Sequence, residues 1–412
     1  MKKIIILLFV FVCLSASAFG EDMAPLTVTS TRNAGRGGPH VAYTDDVYAL
    51  FVNPAALQKA NQWSFFELSP AFIGPLFNIA DIVNSDDPGV ELGKLASDQK
   101  GKIPLGLELR GPLSFAYTAN GLGFGVWDRV SVDARIIGVD IEATVTADFI
   151  LNYGMSFRVL DLSCHQLDAG FVVKPFLRGL AYKEMNGLEL VNNSDILMED
   201  FTVPIIMGLG FDLGFMYRFY EDLAFGLTVD DVFTGGGTVG SAMGSAPDTF
   251  YRVPTSLNLG LAYTLKLGRV WKGAPPLLQS AYAAFMFDWH NLTDAFQSSD
   301  DYTKRNASLD LGLGLELGFF NFVKIRMGLN EMLPAFGIGL EPGPFQFNFA
   351  VYGKELGKEP GRFSTYVYDF SIAIRPGAKK QKWPWTRRAL GNLALEKAGV
   401  LEPGSDSREG ED

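Results

Sequence analysis

"ASLDLGLGLELG", residues 307–318, decides the fold. Leu309, Leu311, Leu313, Leu315 and Leu317 fall on one face of an extended chain, and Asp310, Gly312, Gly314, Glu316 and Gly318 on the other. Strand side chains repeat every two residues, so this stretch has one greasy face and one small or polar face. "TSLNLGLAYTLKLG" (255–268), "FQFNFAVYG" (345–353) and "STYVYDFSIAIR" (364–375) alternate in the same way. A soluble sandwich also alternates, with its greasy face inward, but its strands average only about 5–6 residues. The runs here last about ten residues or more, the length a tilted strand needs to cross a bilayer.

The rest of the chain fits that setting. "MKKIIILLFVFVCLSASAFG" (1–20) has a basic start, a short apolar core and small residues, the pattern of a secretory signal peptide cleaved after Ala18 or Gly20. Cys13 lies inside that apolar core behind Val12 and is lost with it, which leaves Cys164 and no intramolecular disulfide. The formal charge of -11 argues against nucleic acid as a partner. No later stretch reaches the roughly 18 uninterrupted apolar residues of a helical span. An exported, apolar chain without membrane helices reads as an all-β transmembrane antiparallel barrel of the bacterial outer membrane, whose sheet must close because lipid offers no hydrogen bonds.

The expected strands are 62–74, 110–119, 122–135, 144–158, 166–180, 205–219, 222–233, 251–267, 279–290, 305–318, 321–331, 332–342, 344–354 and 363–375, about fourteen. The longest connections, near 75–109, 181–204, 234–250 and 291–304, all run from an odd strand to an even one, as long outer loops should. Trp63, Tyr251, Tyr366 and Tyr368 near run ends suit an interfacial girdle.

Residues 21–60 do not alternate. Asp45 or Asp46 can cap a helix through Phe51 or Val52, and Asn53 a second short helix with Pro54 in its first turn, where a missing N–H costs nothing. The segment is too apolar to hang in water, so its expected berth is the lumen, as a plug. The division is then 1–20 signal peptide, 21–60 hatch or plug, 61–375 barrel and 376–412 periplasmic tail. In that tail, Lys379, Lys380, Lys382, Arg387 and Arg388 surround Trp383 and Trp385 ahead of an acidic end, which suits a foot on anionic lipid or a periplasmic partner.

"GRGGPHVAYTDDVYALFVNPAAL" (35–57) resembles the N-terminal hatch signature of the FadL-type outer-membrane long-chain fatty-acid transporter family, including its PorV-like barrels. "GPLSFAYTANGLGFGVW" (111–127) resembles a branch of the same family. The resemblance implies a plugged barrel of fourteen strands that imports hydrophobic molecules such as fatty acids. It also leaves open a barrel that serves as scaffold or shuttle of a secretion or surface complex. It marks Gly37, Gly38, Asp45, Asp46, Asn53, Pro54 and Ala55 as hatch and gate residues. The tail beyond Arg375 departs from the family, whose members commonly end at the last strand.

No enzyme, cofactor or metal signature stands out. His40, His165 and His290 are scattered, and the glycines recur at period two rather than in a nucleotide-binding pattern. Alternation points Arg129, Arg135, Lys324 and Arg326 into the lumen, where they could hold a carboxylate headgroup or pair with lumen acids. Asp128 falls on the greasy face, so a bulge or the membrane edge is expected near it. In the family a kinked strand makes a lateral opening. "FVVKPFLRGLAY" (171–182) offers a place for one: Pro175 cannot donate to a ladder, and Lys174 would flank the gap.

Overall fold

In the computed structural model, which describes residues 21–75, 94, 102–137, 140–186, 202–220, 222–270, 280–295 and 305–377, fourteen antiparallel strands close into one barrel. They are β1 (Gln62–Ser64, then Phe66–Ile73), β2 (Lys102–Arg110, then Phe115–Ala119), β3 (Leu122–Ile137), β4 (Asp140–Asp161), β5 (His165–Asn186), β6 (Pro204–Phe219) and β7 (Leu223–Asp230, then Gly235–Ser241). The ring continues through β8 (Phe250–Arg252, then Ser256–Lys266), β9 (Tyr282–Trp289), β10 (Leu311–Phe319), β11 (Val323–Asn330), β12 (Leu333–Leu340), β13 (Phe345–Glu355) and β14 (Ser364–Ile374). β14 pairs back onto β1, with Tyr368 opposite Phe72 and Ile372 opposite Leu68, so the ring has no free edge.

The faces follow the alternation. Between β9 and β10, Phe285 opposes Leu315 and Phe287 opposes Leu313 on the outside, while Ala284 opposes Glu316 and Asp288 opposes Gly312 inside. Phe285, Phe287 and Leu313 are exposed, whereas Asp288 and Glu316 are wholly buried. Apolar outside and charged inside is the inverse of a water-soluble protein. The connections β1–β2, β5–β6, β7–β8 and β9–β10 leave from one end, the loop end; the opposite end is the turn end.

Several boundaries differ from expectation. β4 and β5 run to Asp140 and Asn186, and β3 and β4 pair out to Ile137 opposite Asp140. Beyond the bilayer rim nothing requires an apolar outer face, so those strand ends carry no hydrophobic signal. The first four residues of the "ASLDLGLGLELG" stretch form a 3-10 turn, Ala307–Asp310, because Asn306 Oδ1 accepts from Ser308 N–H at 3.0 Å. The expected signal peptide and the tail from residue 378 onward lie outside the described residues.

Among the interruptions of the wall ladder, two take a four-residue stretch out of the sheet. In β2, Gly111–Ser114 leaves the sheet between Arg110, opposite Ser69, and Ala116, opposite Ser64. Leu113 is there 70% exposed. Asp128 sits at this break: Ser114 Oγ donates to its carboxylate at 3.0 Å, and its carbonyl accepts from Gly111 N–H at 3.1 Å. In β7, Asp231–Thr234 leaves the ladder between Val229 and Gly235.

Candidate functional site

Residues 23–60 pack against the inner face of the wall. Met23–Ser30 is extended; α1 (Thr31–Gly35) follows, capped by Ser30 Oγ, which accepts from Asn33 N–H at 3.1 Å. α2 (Ala49–Val52) and a 3-10 helix (Pro54–Gln58) complete the segment. The aspartates do not cap α2 as the sequence suggested. Asp46 accepts from Tyr48 N–H at 3.0 Å, ahead of the helix, and Asp45 is drawn to Arg32 at 2.8 Å. That guanidinium holds the Asp45 carboxyl below the usual carboxylate range.

Asn53 is wholly buried and uses both ends of its amide. Its Oδ1 accepts from Ala55 N–H at 3.0 Å, starting the 3-10 helix at Pro54. Its Nδ2 donates to Val41 O at 2.9 Å and to Phe215 O on β6 at 3.2 Å. One side chain thus ties Ala55, the Val41 loop and the wall. Ala55 itself is wholly buried. Gly37 and Gly38, at φ of +91° and +113°, turn the chain after α1, and Gly37 presses on the backbone of β10 and β11.

The wall is shaped to receive this segment. A Cβ at Gly170 would come within 3 Å of the Pro54 backbone, at Gly226 of Val41, at Gly260 of Ala42, at Gly314 of Arg36 and at Gly337 of Gly35. The period-two glycines therefore let two backbones approach across the lumen. Single acids on the small face of other strands supply the polar half of the fit. Glu67 accepts from Tyr48 Oη at 2.8 Å, Asp369 from Thr31 Oγ1 at 2.8 Å and Asp288 from Val41 N–H at 2.7 Å. Asp288 also pairs with His40, and Glu316 with Arg32 at 3.2 Å. Sequence reasoning missed these acids as anchors. Their signal was an isolated carboxylate in an otherwise small lumen face, as in "FELS", "MFDW" and "VYDF".

Of the four headgroup cations, Arg129 pairs with Asp148 at 2.6 Å and donates to Thr27 O at 3.2 Å. Arg326 is held by Glu316 and Glu341, both at 2.8 Å. Arg135 is exposed, near the loop end of β3. Lys324 lies over the Tyr282 ring at 4.8 Å and has no carboxylate within ion-pair distance among the described residues. Lys174 is buried between Asp212 at 2.8 Å and Asp231 at 3.0 Å, and it and Pro175 are the two residues of this stretch without a ladder partner on β4. Pro175 faces outward and pairs with Leu209 in an unshifted ladder to β6. Toward β4 two pairs are missing, yet the register resumes unchanged from Val173 to Phe176. A missing N–H removes one bond; it does not displace a strand held on its other side.

Arginines also bind the extended start of the lumen segment by its carbonyls. Arg178 donates to Ala24 O at 2.5 Å, Arg129 to Thr27 O and Arg110 to Thr29 O. Two cavities lie on either side of the 39–45 loop. One, of about 530 Å³, is reached by Val28, Val41, Phe51 and Val52 from the lumen segment and by Asp230, Asn258 and Asp310 from the wall. The other, of about 540 Å³ nearer the turn end, is lined by Tyr43, Asp45, Lys59, Arg218, Tyr282 and Lys324 among others. Among the described residues no group of three or more His, Cys, Asp or Glu could hold a metal ion.

Fold and contacts define a closed antiparallel barrel with an apolar outer face and an N-terminal segment packed against its inner face. No family model matches the sequence, and no curated protein matches it. Among solved structures, the CymD monoaromatic hydrocarbon channel is similar at 12% identity and a TM-score of 0.45, over 87% of this chain and 100% of that one. The Pseudomonas putida toluene transporter TodX is similar at 12% identity and a TM-score of 0.45, over 84% and 98%. A Pseudomonas aeruginosa FadL homologue is similar at 12% identity and a TM-score of 0.45, over 88% and 100%. Likenesses this distant leave the barrel's own pairing as the ground for its fold.

Proposed function

We propose that this chain is an outer-membrane importer of hydrophobic, chain-bearing molecules, with long-chain fatty acids as the ligand that the hatch resemblance implies. The observation that carries the reading is a closed barrel whose bore is filled by residues 23–60, with a cavity of about 530 Å³ beside them. A filled bore excludes general diffusion of polar solutes. The cavity volume falls within the usual range for small-molecule sites, about 300–1,000 Å³. Residues 35–57 act as the gate in this reading, and the 39–45 loop divides the two cavities.

Lys324 is the candidate for an anionic headgroup, because Arg129 and Arg326 already hold carboxylates. It lines the cavity nearer the turn end, so a carboxylate would meet it only after passing the loop. An apolar molecule gains nothing by entering periplasmic water, which favours release sideways into the membrane. The break at Gly111–Ser114 is our candidate for that exit in place of Pro175.

Uptake of labelled oleate into vesicles carrying the purified protein tests the reading. Uptake should exceed that of protein-free vesicles and saturate; equal uptake with and without the protein would sink it.

A further inference from the structure

We propose that the cavity nearer the turn end is a binding site for a small aromatic carboxylate, reached from the turn end without passing the 39–45 loop. This rests on the proposed reading that offers Lys324 to an anionic head, and it names the class of molecule that carries the head.

Lys324 supplies the charge. It lines this cavity, is only 8% exposed and lies over the Tyr282 ring at 4.8 Å. Among the described residues no carboxylate comes within ion-pair distance of its ammonium, and no acceptor takes a hydrogen bond from it. A buried ammonium without a counter-ion is costly, and a carboxylate offers it charge-assisted hydrogen bonds. The other charges of the lining do not oppose an anion. Asp45 is held by Arg32 at 2.8 Å, and Asp222 faces Lys266 at 4.0 Å. Arg218 pairs with Asp168, and Lys59 brings the lining to four cations against two acids.

Two rings stand beside the ammonium. Tyr43 of the 39–45 loop and Tyr282 of β9 both donate to Glu316 Oε1, at 3.2 and 2.8 Å, so one carboxylate fixes both phenol ends. Glu316 itself is held by Arg32 and Arg326. Both rings are half-buried, and both line the cavity. The remaining apolar lining is Met216 with Ala42, Ala224, Ala262 and Ala281, and it contains no Leu, Ile, Val or Phe. The other cavity, by contrast, presents Val28, Val41, Phe51 and Val52 to an alkyl chain. Tyrosine rings and a thioether favour an aromatic ring, through edge-to-face or offset contacts and through sulfur at the ring edge. Alanine walls leave room for a flat group and give an alkyl chain few methyls to pack against. Lys59, Lys266 and Ser280 on the lining are exposed, which opens the cavity toward the turn end.

The test uses the full chain in nanodiscs and labelled phenylacetate, with unlabelled phenylacetate, cyclohexylacetate and 2-phenylethanol as competitors. Phenylacetate should compete roughly two- to tenfold better than cyclohexylacetate, the gain expected of aromatic contacts. It should compete roughly tenfold or more better than 2-phenylethanol, which lacks the charge. Lys324→Met should weaken phenylacetate binding about tenfold or more, and Lys324→Arg should restore it. Should the Met variant fail to fold, the order of the three competitors on the wild-type protein still decides. Cyclohexylacetate or 2-phenylethanol competing as well as phenylacetate overturns the site, and so does unchanged phenylacetate binding in Lys324→Met. Oleate uptake by the same wild-type preparation reads transport separately. Normal uptake without saturable phenylacetate binding overturns this site alone; neither uptake nor binding overturns both.

Discussion

The lumen segment is held in two different ways along its length. Its first part, Met23–Ser30, is fastened by arginine side chains that reach for its carbonyls, and Ala24, Pro25 and Thr27 stay exposed. Its last part, Asn53–Leu57, is wedged backbone against backbone on Gly170, with the Asn53 amide and the Pro54 ring against Gly214, and every residue of it is buried. An arginine side chain holds a carbonyl through single hydrogen bonds that can break one at a time. A contact that leaves no room for a Cβ has no intermediate positions. The difference assigns motion to the first part and anchorage to the second.

The sharpest way to break that comparison is Gly170→Val. Its Cβ and methyls would occupy the place of the Pro54 backbone. Overpacking of a fitted contact costs about 1–3 kcal/mol, which shifts a two-state equilibrium roughly 5- to 150-fold. Planar-bilayer conductance should rise by a factor in that range, while the barrel keeps its heat-dependent gel mobility. Wild-type conductance from a folded barrel would mean that the segment is not wedged.

The next largest effect is expected from Asn53→Ala combined with Pro54→Ala. The variant loses the donor to Val41 O and Phe215 O and the acceptor for Ala55 N–H. Losing such a cap costs about 0.5–2 kcal/mol, enough to raise the open population a few-fold to about thirtyfold. Unchanged conductance with intact ligand uptake would reduce the Asn-Pro-Ala motif to a structural joint.

Releasing the charge-held part should do less. In a Cys164→Ser background, Thr27→Cys reports on the extended stretch through its rate of thiol labelling. Arg178→Ala removes the donors to Ala24 O and, more weakly, Pro25 O, and Asp148 keeps Arg129 as its partner. Labelling should quicken about two- to fivefold, consistent with one charge-assisted hydrogen bond partly replaced by water. The same substitution should leave a label at Ala55→Cys unaffected; equal acceleration at both sites would erase the distinction.

How much of this was legible in sequence depends on what each residue answers to. Leu313 and Phe287 face lipid because nothing else suits that solvent, so period-two alternation revealed the wall and its number of strands. Asn53 and Pro54 obey local backbone chemistry, so the 3-10 turn was legible as well. Arg129 and Arg326 were legible as lumen-facing, with pairing to lumen acids left open, but which acids hold them was not: Asp148, Glu316 and Glu341 come from other strands and loops. The glycine contacts with Pro54, Val41 and Arg36 were invisible for the same reason. A glycine in sequence reports only that a side chain is missing, and the backbone that needs its absence lies 100 or more residues away in the chain.

Pro175→Val should have the smallest effect. A proline in a closed wall suggests a weak seam, and a restored N–H would then tighten it and slow ligand transfer. The pairing argues otherwise. Pro175 holds its place opposite Leu209, the register toward β4 is the same before and after it, and Lys174 is locked between two aspartates behind it. The new N–H would add at most one ladder bond, worth about 0.5–1.5 kcal/mol of stability, with no strand to move. Oleate uptake should therefore equal that of wild type, with a slightly higher unfolding temperature. By contrast, the ladder is already open from Phe65 to Leu68 beside Gly111–Ser114, and removing the bowed residues there by deleting Pro112 and Leu113 should slow uptake. Slower uptake from Pro175→Val together with normal uptake from the deletion would move the exit back to β5.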